Sequence, residues 1–241
     1  MLRKYALILG GNSKLGQHLV SEFRKKSISS RWKTLSMDYK KNFDATENLI
    51  FEKGMTPQQK AKEAFKKAKE FAEEFDAIIV ANSDGDFEES KISDDDIFEK
   101  YQKYWDTNVY NSIIAARIGS NLLAPCGIMV LHSSIEAFEE TNARNLAVNL
   151  SRVQTCAVAC NLGELKEVPP NCIITTILPK HLDSQANIEG NHPGFTAETL
   201  DNSEQIARMI KTWSAGEARP ENNSFVSFER ASKKITFPKF V

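Results

Sequence analysis

The chain has no excess of charge of either sign. Its 31 Lys and Arg stand against 32 Asp and Glu, a formal net charge of −1. That balance gives no support for binding to nucleic acid or to an anionic membrane, which would show as a basic excess or stripe. No apolar run approaches the roughly 18 residues of a membrane span. Cysteine is sparse: Cys126, Cys156, Cys160 and Cys172 include no C-x-x-C pair. Cys156 and Cys160 lie one helical turn apart, but no histidine or further thiol stands at metal-ligand spacing, so no metal site is expected. These thiols read as small buried apolar residues in a reducing compartment. No signal or transit segment fits before Tyr5, where the first strand has begun. The expected location is the cytoplasm, with a mitochondrial one lacking a cleavable presequence left open. Repeats, low-complexity tracts and linkers are also missing. The acidic stretch NSDGDFEESKISDDD lacks the glycine at the sixth position and the distal glutamate of a calcium loop. A chain of 241 residues suits one α/β domain and buries enough surface, roughly three-quarters, to need no disulfide or metal.

What the sequence does contain is an alternation of short apolar runs with longer helical patterns, the signature of βαβ units. Strands are expected at Tyr5–Leu9, Lys33–Met37, Asp76–Ala81, Gly127–Leu131 and Cys172–Leu178. Between the second and third, Ala61, Ala64, Phe65, Ala68, Phe71, Ala72 and Phe75 recur at helical spacing and predict one stripe of a surface helix. Thr56-Pro57 supplies its N-cap and a proline at the first helical position. Ser93, three residues before Asp96, predicts the N-cap of a long helix running to Leu123.

The informative stretch is LILGGNSKLG, residues 7–16. In Gly10-Gly11-Asn12-Ser13-Lys14-Leu15-Gly16 the first glycine allows a tight turn, and Gly16 allows the helix to pack against the strand. The helix N-terminus would then meet a cofactor pyrophosphate. The second strand ends in Asp38, about 20 residues beyond the last glycine, where a carboxylate accepts from the adenosine ribose and repels the 2′-phosphate of NADP. Glycine turns of this kind are individually weak signals, and a turn followed by an unrelated aspartate has the same spacing.

The combination of GGNSKLG, Asp38 and Asn108 resembles the short-chain dehydrogenase/reductase superfamily, and within it the quinonoid dihydropteridine reductase family. ILPKHLDSQAN, residues 177–187, resembles the I-L-P-x-x-L-D-[TS]-x-x-N after that family's sixth strand, and TWSAGEARPENNSFVSFER its closing segment and last strand. The similarity runs from Tyr5 to about Phe237. It implies a single Rossmann domain, doubly wound and mostly parallel with helices on both faces, NADH as hydride donor, and a homodimer built from two helices per subunit. Carried over by position, Gly10, Gly11, Asn12, Leu15 and Gly16 form the cofactor loop and Asp38 binds the ribose. Leu178 and Pro179 flank the nicotinamide, Ser134 takes the catalytic serine position and Asn108 the helix asparagine. The dimer helices would be residues 94–123 and 143–165. The apolar row Ile113, Ile114, Ala116, Ile118 and Leu122, together with Val148, Val153 and Val158, fits that interface or equally a core stripe against the sheet.

The pattern breaks in NARNLAVNLSRV. The superfamily carries Y-x-x-x-K there, and counting forward from Ser134 and back from Pro179 places those residues at Ala147 and Ser151. No tyrosine follows Tyr110, and Arg152 is rotated about 100° from the lysine position. Ser13 and Lys14 replace small residues of the loop; Lys14 would either pair with the phosphates or occupy their space. Ser83 and Asp84 stand where glycines let the adenosine lie close, and Asp84 would repel a pyrophosphate. His132, two residues before Ser134, is a candidate substitute acid or a packed core residue.

Three readings follow, in order of preference. The first is a catalytically degenerate reductase-like protein, with cofactor binding weakened or lost, acting as a structural or regulatory subunit in a homodimeric or heteromeric assembly. The second is an active NADH-dependent reductase of a quinonoid pterin with another proton source. The third is a non-catalytic NAD(H)-binding sensor.

Overall fold

The computed structural model describes residues 2–25, 30–82, 89–138, 145–164, 168–180, 182 and 202–228. Seven strands form one parallel sheet: β1 (Leu2–Leu9), β2 (Ser30–Asp38), β3 (Glu47–Ile50), β4 (Phe75–Val80), β5 (Leu123–His132), β6 (Ile173–Leu178) and β7 (Ser224–Ser227), in the order β3-β2-β1-β4-β5-β6-β7. The central strands are apolar without alternation because both faces are covered. Along β1, Leu7 and Leu9 enter one core while Ala6 and Ile8 enter the other. The first core is closed by α2 (Pro57–Phe71), α4 (Tyr110–Leu122) and α5 (Leu146–Gly163), through Ala64, Ala68, Ile114, Ile118 and Ala159. The second is closed by α1 (Lys14–Arg24) and α6 (Ser203–Ala215), through Leu15, Leu19, Phe23, Ile206 and Ile210. Strand order reverses between β1 and β4, so the crevice at their carboxyl ends is where such a sheet takes a ligand.

Each expected strand is present. β1, β2 and β5 are longer than their apolar runs, β4 is shifted one residue earlier at both ends so that Ala81 lies just beyond it, and β6 begins one residue later. The short edge strand β3 is an addition. Helix α2 opens on a full capping box, Thr56 with Gln59, and Pro57 in its first turn. It stops at Phe71, so Phe75 is not on its stripe: Phe75 heads β4 and stacks on Phe71, ring centroids 6.2 Å apart. Asp76 fixes that start by accepting from Tyr5 N at 2.8 Å, which ties β4 to β1.

The long helix expected from Asp94 to Leu123 is in three parts. Helix α3 covers Ile97–Tyr104, a π-helical turn covers Trp105–Val109, and α4 follows. Asp96, not Ser93, holds the N-cap position, and it makes no side-chain cap bond. Asp94 instead accepts from Lys91 N at 2.8 Å and pairs with Lys100. Cys126 is also a correction: it is exposed and sits in a left-handed turn at φ 61°, whereas Cys156 and Cys172 are buried. No helix among the described residues is long and apolar enough to cross a membrane.

Candidate cofactor cleft and the site beside it

On one flank of the crevice β1 runs into the glycine turn. Gly10 has φ +78°, and a Cβ there would lie 2.1 Å from the carbonyl oxygen of Ala81 at the end of β4. A Cβ on Gly16 would lie 2.1 Å from Gly10 O, so the first turn of α1 seats directly on the loop. Gly10 N donates to Met37 O at 2.9 Å and Ala81 N to Leu9 O at 2.8 Å, binding the loop to both neighbouring strands. Ser13 is the N-cap of α1, its hydroxyl accepting from Gly16 N at 3.0 Å. Lys14 is exposed and makes no hydrogen bond or ion pair with a described residue. It therefore does not fill the loop, and stands in solvent at the end of α1 that favours an anion.

Asp38 closes this flank. One carboxylate oxygen accepts from Asn12 N at 2.7 Å and the other from Tyr39 N at 2.6 Å. The Asn12 amide reaches back to Lys40 O. Asn42, to which nothing in the sequence pattern points, donates from Nδ2 to Gly11 O at 2.7 Å and is buried. These bonds lock the glycine loop to the turn after β2 and hold the carboxylate where a ribose would meet it. Leu15 is fully buried and serves as packing beneath the loop. The residues present fit an adenine dinucleotide on this flank: a cradle that tolerates no Cβ, a helix N-terminus and a fixed carboxylate.

The opposite flank is built differently. Asn108 lies in the π turn, 6 % exposed, and its Nδ2 donates to Ser151 Oγ at 2.9 Å. The Ser151 hydroxyl donates to Val148 O at 2.7 Å. Ser151 and Ala147 are both completely buried on α5, and Ala147 packs in a small cluster with Tyr104 and Val148. Ser90 sits across the start of that helix: its hydroxyl accepts from Ala147 N at 3.0 Å and its carbonyl from Leu146 N at 3.1 Å. Ser90 is itself fully buried, so it serves as the cap of α5 beside Ala147. Its role was not legible because its partner lies more than fifty positions away in the chain.

Ser134 follows β5 and is 3 % exposed. Its hydroxyl makes long bonds, donating to Lys180 O at 3.4 Å and accepting from Glu136 N at 3.3 Å, where it caps a 3₁₀ turn. Arg152, one residue on from Ser151, pairs with Glu136 at 3.3 Å. His132 is buried, with Nδ1 3.2 Å from Asn82 O, and Asn82 Nδ2 donates to His132 O at 3.2 Å. The histidine thus belongs to a packed polar link between β4 and β5. Leu178 is fully buried against Cys156, Ile135, Phe138 and Phe225. Pro179, also buried, accepts at its carbonyl from Ile135 N at 3.4 Å. Burial pushes the Cys156 thiol up to about 12, out of reach of acid–base work. Ser83, Asp84 and most of HLDSQAN lie outside the described residues. No group of His, Cys, Asp or Glu able to hold a metal occurs among the described residues.

The sheet order and the placement of these flanks are those of the short-chain dehydrogenase/reductase fold. The aldohexose dehydrogenase of Thermoplasma acidophilum superimposes with a TM-score of 0.76 at 13 % identity, covering 98 % of both chains. A short chain dehydrogenase family protein from Francisella tularensis gives 0.75 at 18 % identity, covering 94 % of this chain and 97 % of that one. A short chain dehydrogenase from Burkholderia cenocepacia, solved in complex with NADP, gives 0.72 at 15 % identity, covering 94 % and 96 %. In sequence the chain is similar to the dihydropteridine reductase of Dictyostelium discoideum, 26 % identical over 242 residues that span 98 % of this chain and 99 % of that protein. No protein-family model matches the chain.

Proposed function

We propose that this chain is a dihydropteridine reductase-like protein that keeps a dinucleotide-binding flank and has lost its proton-transfer chemistry, acting as a structural or regulatory subunit. One observation carries the reading. The positions that would hold a tyrosine acid and its lysine are Ala147 and Ser151, both buried, the first beside Ser90 and the second bonded to Asn108 and Val148. Neither offers an acid of useful pKa or a cation for a nicotinamide ribose. A general acid is worth about 10²–10⁴ in rate, so the loss falls on chemistry first.

On the binding flank, Gly10, Gly11 and Gly16 would admit the pyrophosphate to the N-terminus of α1, with Asn12 and Leu15 shaping the loop. Asp38 would take the adenosine ribose and disfavour a 2′-phosphate, so NADH is the expected dinucleotide. Exposed Lys14 would help hold the phosphates rather than exclude them, which makes cofactor retention the stronger form of this reading. The nicotinamide of a bound NADH would supply hydride beside Leu178 and Pro179. Ser134 could orient a substrate carbonyl or imine.

The subunit role rests on α4 and α5. Of the apolar row expected there, Ile114, Ile118, Leu122 and Val148 are core residues, while Ile113 and Val153 are exposed at 43 and 39 %; Leu150, outside that row, is exposed at 45 %. That remaining patch would pair with a second copy or with a related chain. The test is NADH oxidation with freshly generated quinonoid dihydropterin, run beside the Dictyostelium reductase. Turnover within about tenfold of that enzyme overturns the proposal in favour of an active reductase, since losing the acid should cost at least about 10².

A further inference from the structure

Far from the cleft, at the amino ends of β1 and β2, the sheet leaves a groove of about 380 Å³. Its wall is formed by Arg3, Arg24, Lys25, Arg31 and Lys33, with Asp44 the one carboxylate among its lining residues. For a chain of net charge −1 this is a strongly asymmetric concentration of positive charge. Arg24 is paired with Asp44 and Lys25 with Glu22. Arg3, Arg31 and Lys33 make no ion pair or side-chain hydrogen bond with any described residue. Arg3 and Arg31 are direct partners in the β1–β2 register, and Lys33 follows two residues on, so the three share one face of the ladder. Like charges placed opposite each other repel. Arg3 also borders a neighbouring groove lined by Glu70, Glu73, Glu74 and Asp76, which leaves Arg31 and Lys33, of these three, as the cations that face this groove alone.

The same place has an open strand edge. β3 pairs with β2 only at Leu35–Asp38. Next to that, Thr34 and Thr46 exchange bonds, each backbone N–H donating to the other's hydroxyl at 3.1 Å, and strand pairing stops. Because Thr34 N faces the β3 side, strand alternation puts the N–H and carbonyl of Trp32 on that edge as well. No described strand pairs there. An edge of this kind is a template for an added strand, and the side chains around it choose which strand.

We infer that this groove docks an extended acidic segment of a partner protein, which pairs with the β2 edge at Trp32 and places its carboxylates on Arg3, Arg31 and Lys33. The site lies at the opposite end of the strands from the cofactor crevice and stands whether or not that crevice reduces anything. Its occupant would leave the crevice open.

The test is fluorescence anisotropy with a labelled hexaglutamate peptide on the full chain at low and high salt. Three comparisons accompany it: an alternately N-methylated version of the peptide, inorganic tripolyphosphate as competitor, and the variants Arg31→Glu and Lys33→Gln. The account expects saturable, salt-sensitive binding that weakens at least about tenfold in either variant and in the methylated peptide, which cannot pair along an edge. Thermal melts establish that each variant is folded, and Lys33→Gln is the milder probe should Arg31→Glu fail to fold. Absence of hexaglutamate binding overturns the inference and leaves the cations as mere edge protection. Equal affinity of the methylated peptide, or tighter binding of tripolyphosphate than of peptide, also overturns it and makes the groove a site for small anions.

Discussion

The two flanks of the crevice have diverged in kind. At Gly10–Gly16 the backbone itself forms the site: positive φ at Gly10, two positions where a Cβ would clash with backbone, and a carboxylate fixed by two N–H donors. At α5 side chains rather than backbone form the surroundings: Asn108 donates to Ser151, Ser90 accepts from Ala147 N, and all four residues are buried. If the proposed function holds, the contrast is one between binding kept by backbone and catalysis lost from side chains. The glycine turn is tied to β1, β2 and β4, so losing it would damage the sheet. On the proposed reading the tyrosine and lysine positions are single side chains on the face of α5, so Ala147 and Ser151 would replace them while the helix stays packed.

The largest way to break this contrast is to restore the missing pair. Ala147→Tyr with Ser151→Lys should leave turnover at the level of the parent chain and lower stability by about 3 kcal/mol or more, because it overpacks the Ser90 cap and buries an ammonium without a carboxylate. Denaturant melts and the dihydropterin assay read both. A stable double variant with robust turnover would show that the flank is still an active site lacking only two side chains. Next in size, Gly10→Ala should cost about 2 kcal/mol and remove NADH binding, since the new Cβ meets Ala81 O in a left-handed conformation. Retention of NADH affinity in that variant would dissolve the claim that the loop is the binding flank. Ser90→Ala should cost about 1 kcal/mol, the value of one buried bond to Ala147 N, and leave dinucleotide affinity unchanged.

The smallest effect concerns the thiols. A thiol reagent at neutral pH should label exposed Cys126 first and leave Cys156 untouched. Burial keeps the Cys156 thiol protonated in the folded chain up to about pH 12, whereas the unfolded thiol releases its proton near the ordinary value of 9.0. The native state therefore binds more protons between those values, and stability should fall as pH rises through that window. Cys156→Ser should flatten this slope, as followed by melts across alkaline pH.

The local structure of the glycine turn was legible because its information is local. An apolar run, a glycine turn, a helix and an acid lie within residues 4–38, and each reports its own backbone requirement. The capping box of α2 was visible for the same reason. β3 was not, since ENLI is a four-residue edge strand with both ends exposed and no apolar run to announce it. The π turn was hidden because its sequence, WDTNV, continues the helical pattern on either side. Lys14 could be placed in solvent only once α1 had a register. Ser90, Asn42 and the open edge of β2 depend on partners brought together by the sheet, and composition carries no trace of them.

The most direct measurement follows NADH fluorescence in one cuvette. The chain is titrated with NADH to saturation, and quinonoid dihydropterin is then added. The account predicts a saturable binding signal, weaker for NADPH than for NADH, followed by nicotinamide oxidation about 10²–10⁴ slower than with the Dictyostelium reductase. Oxidation at that enzyme's rate, or no binding of either nucleotide, would contradict it.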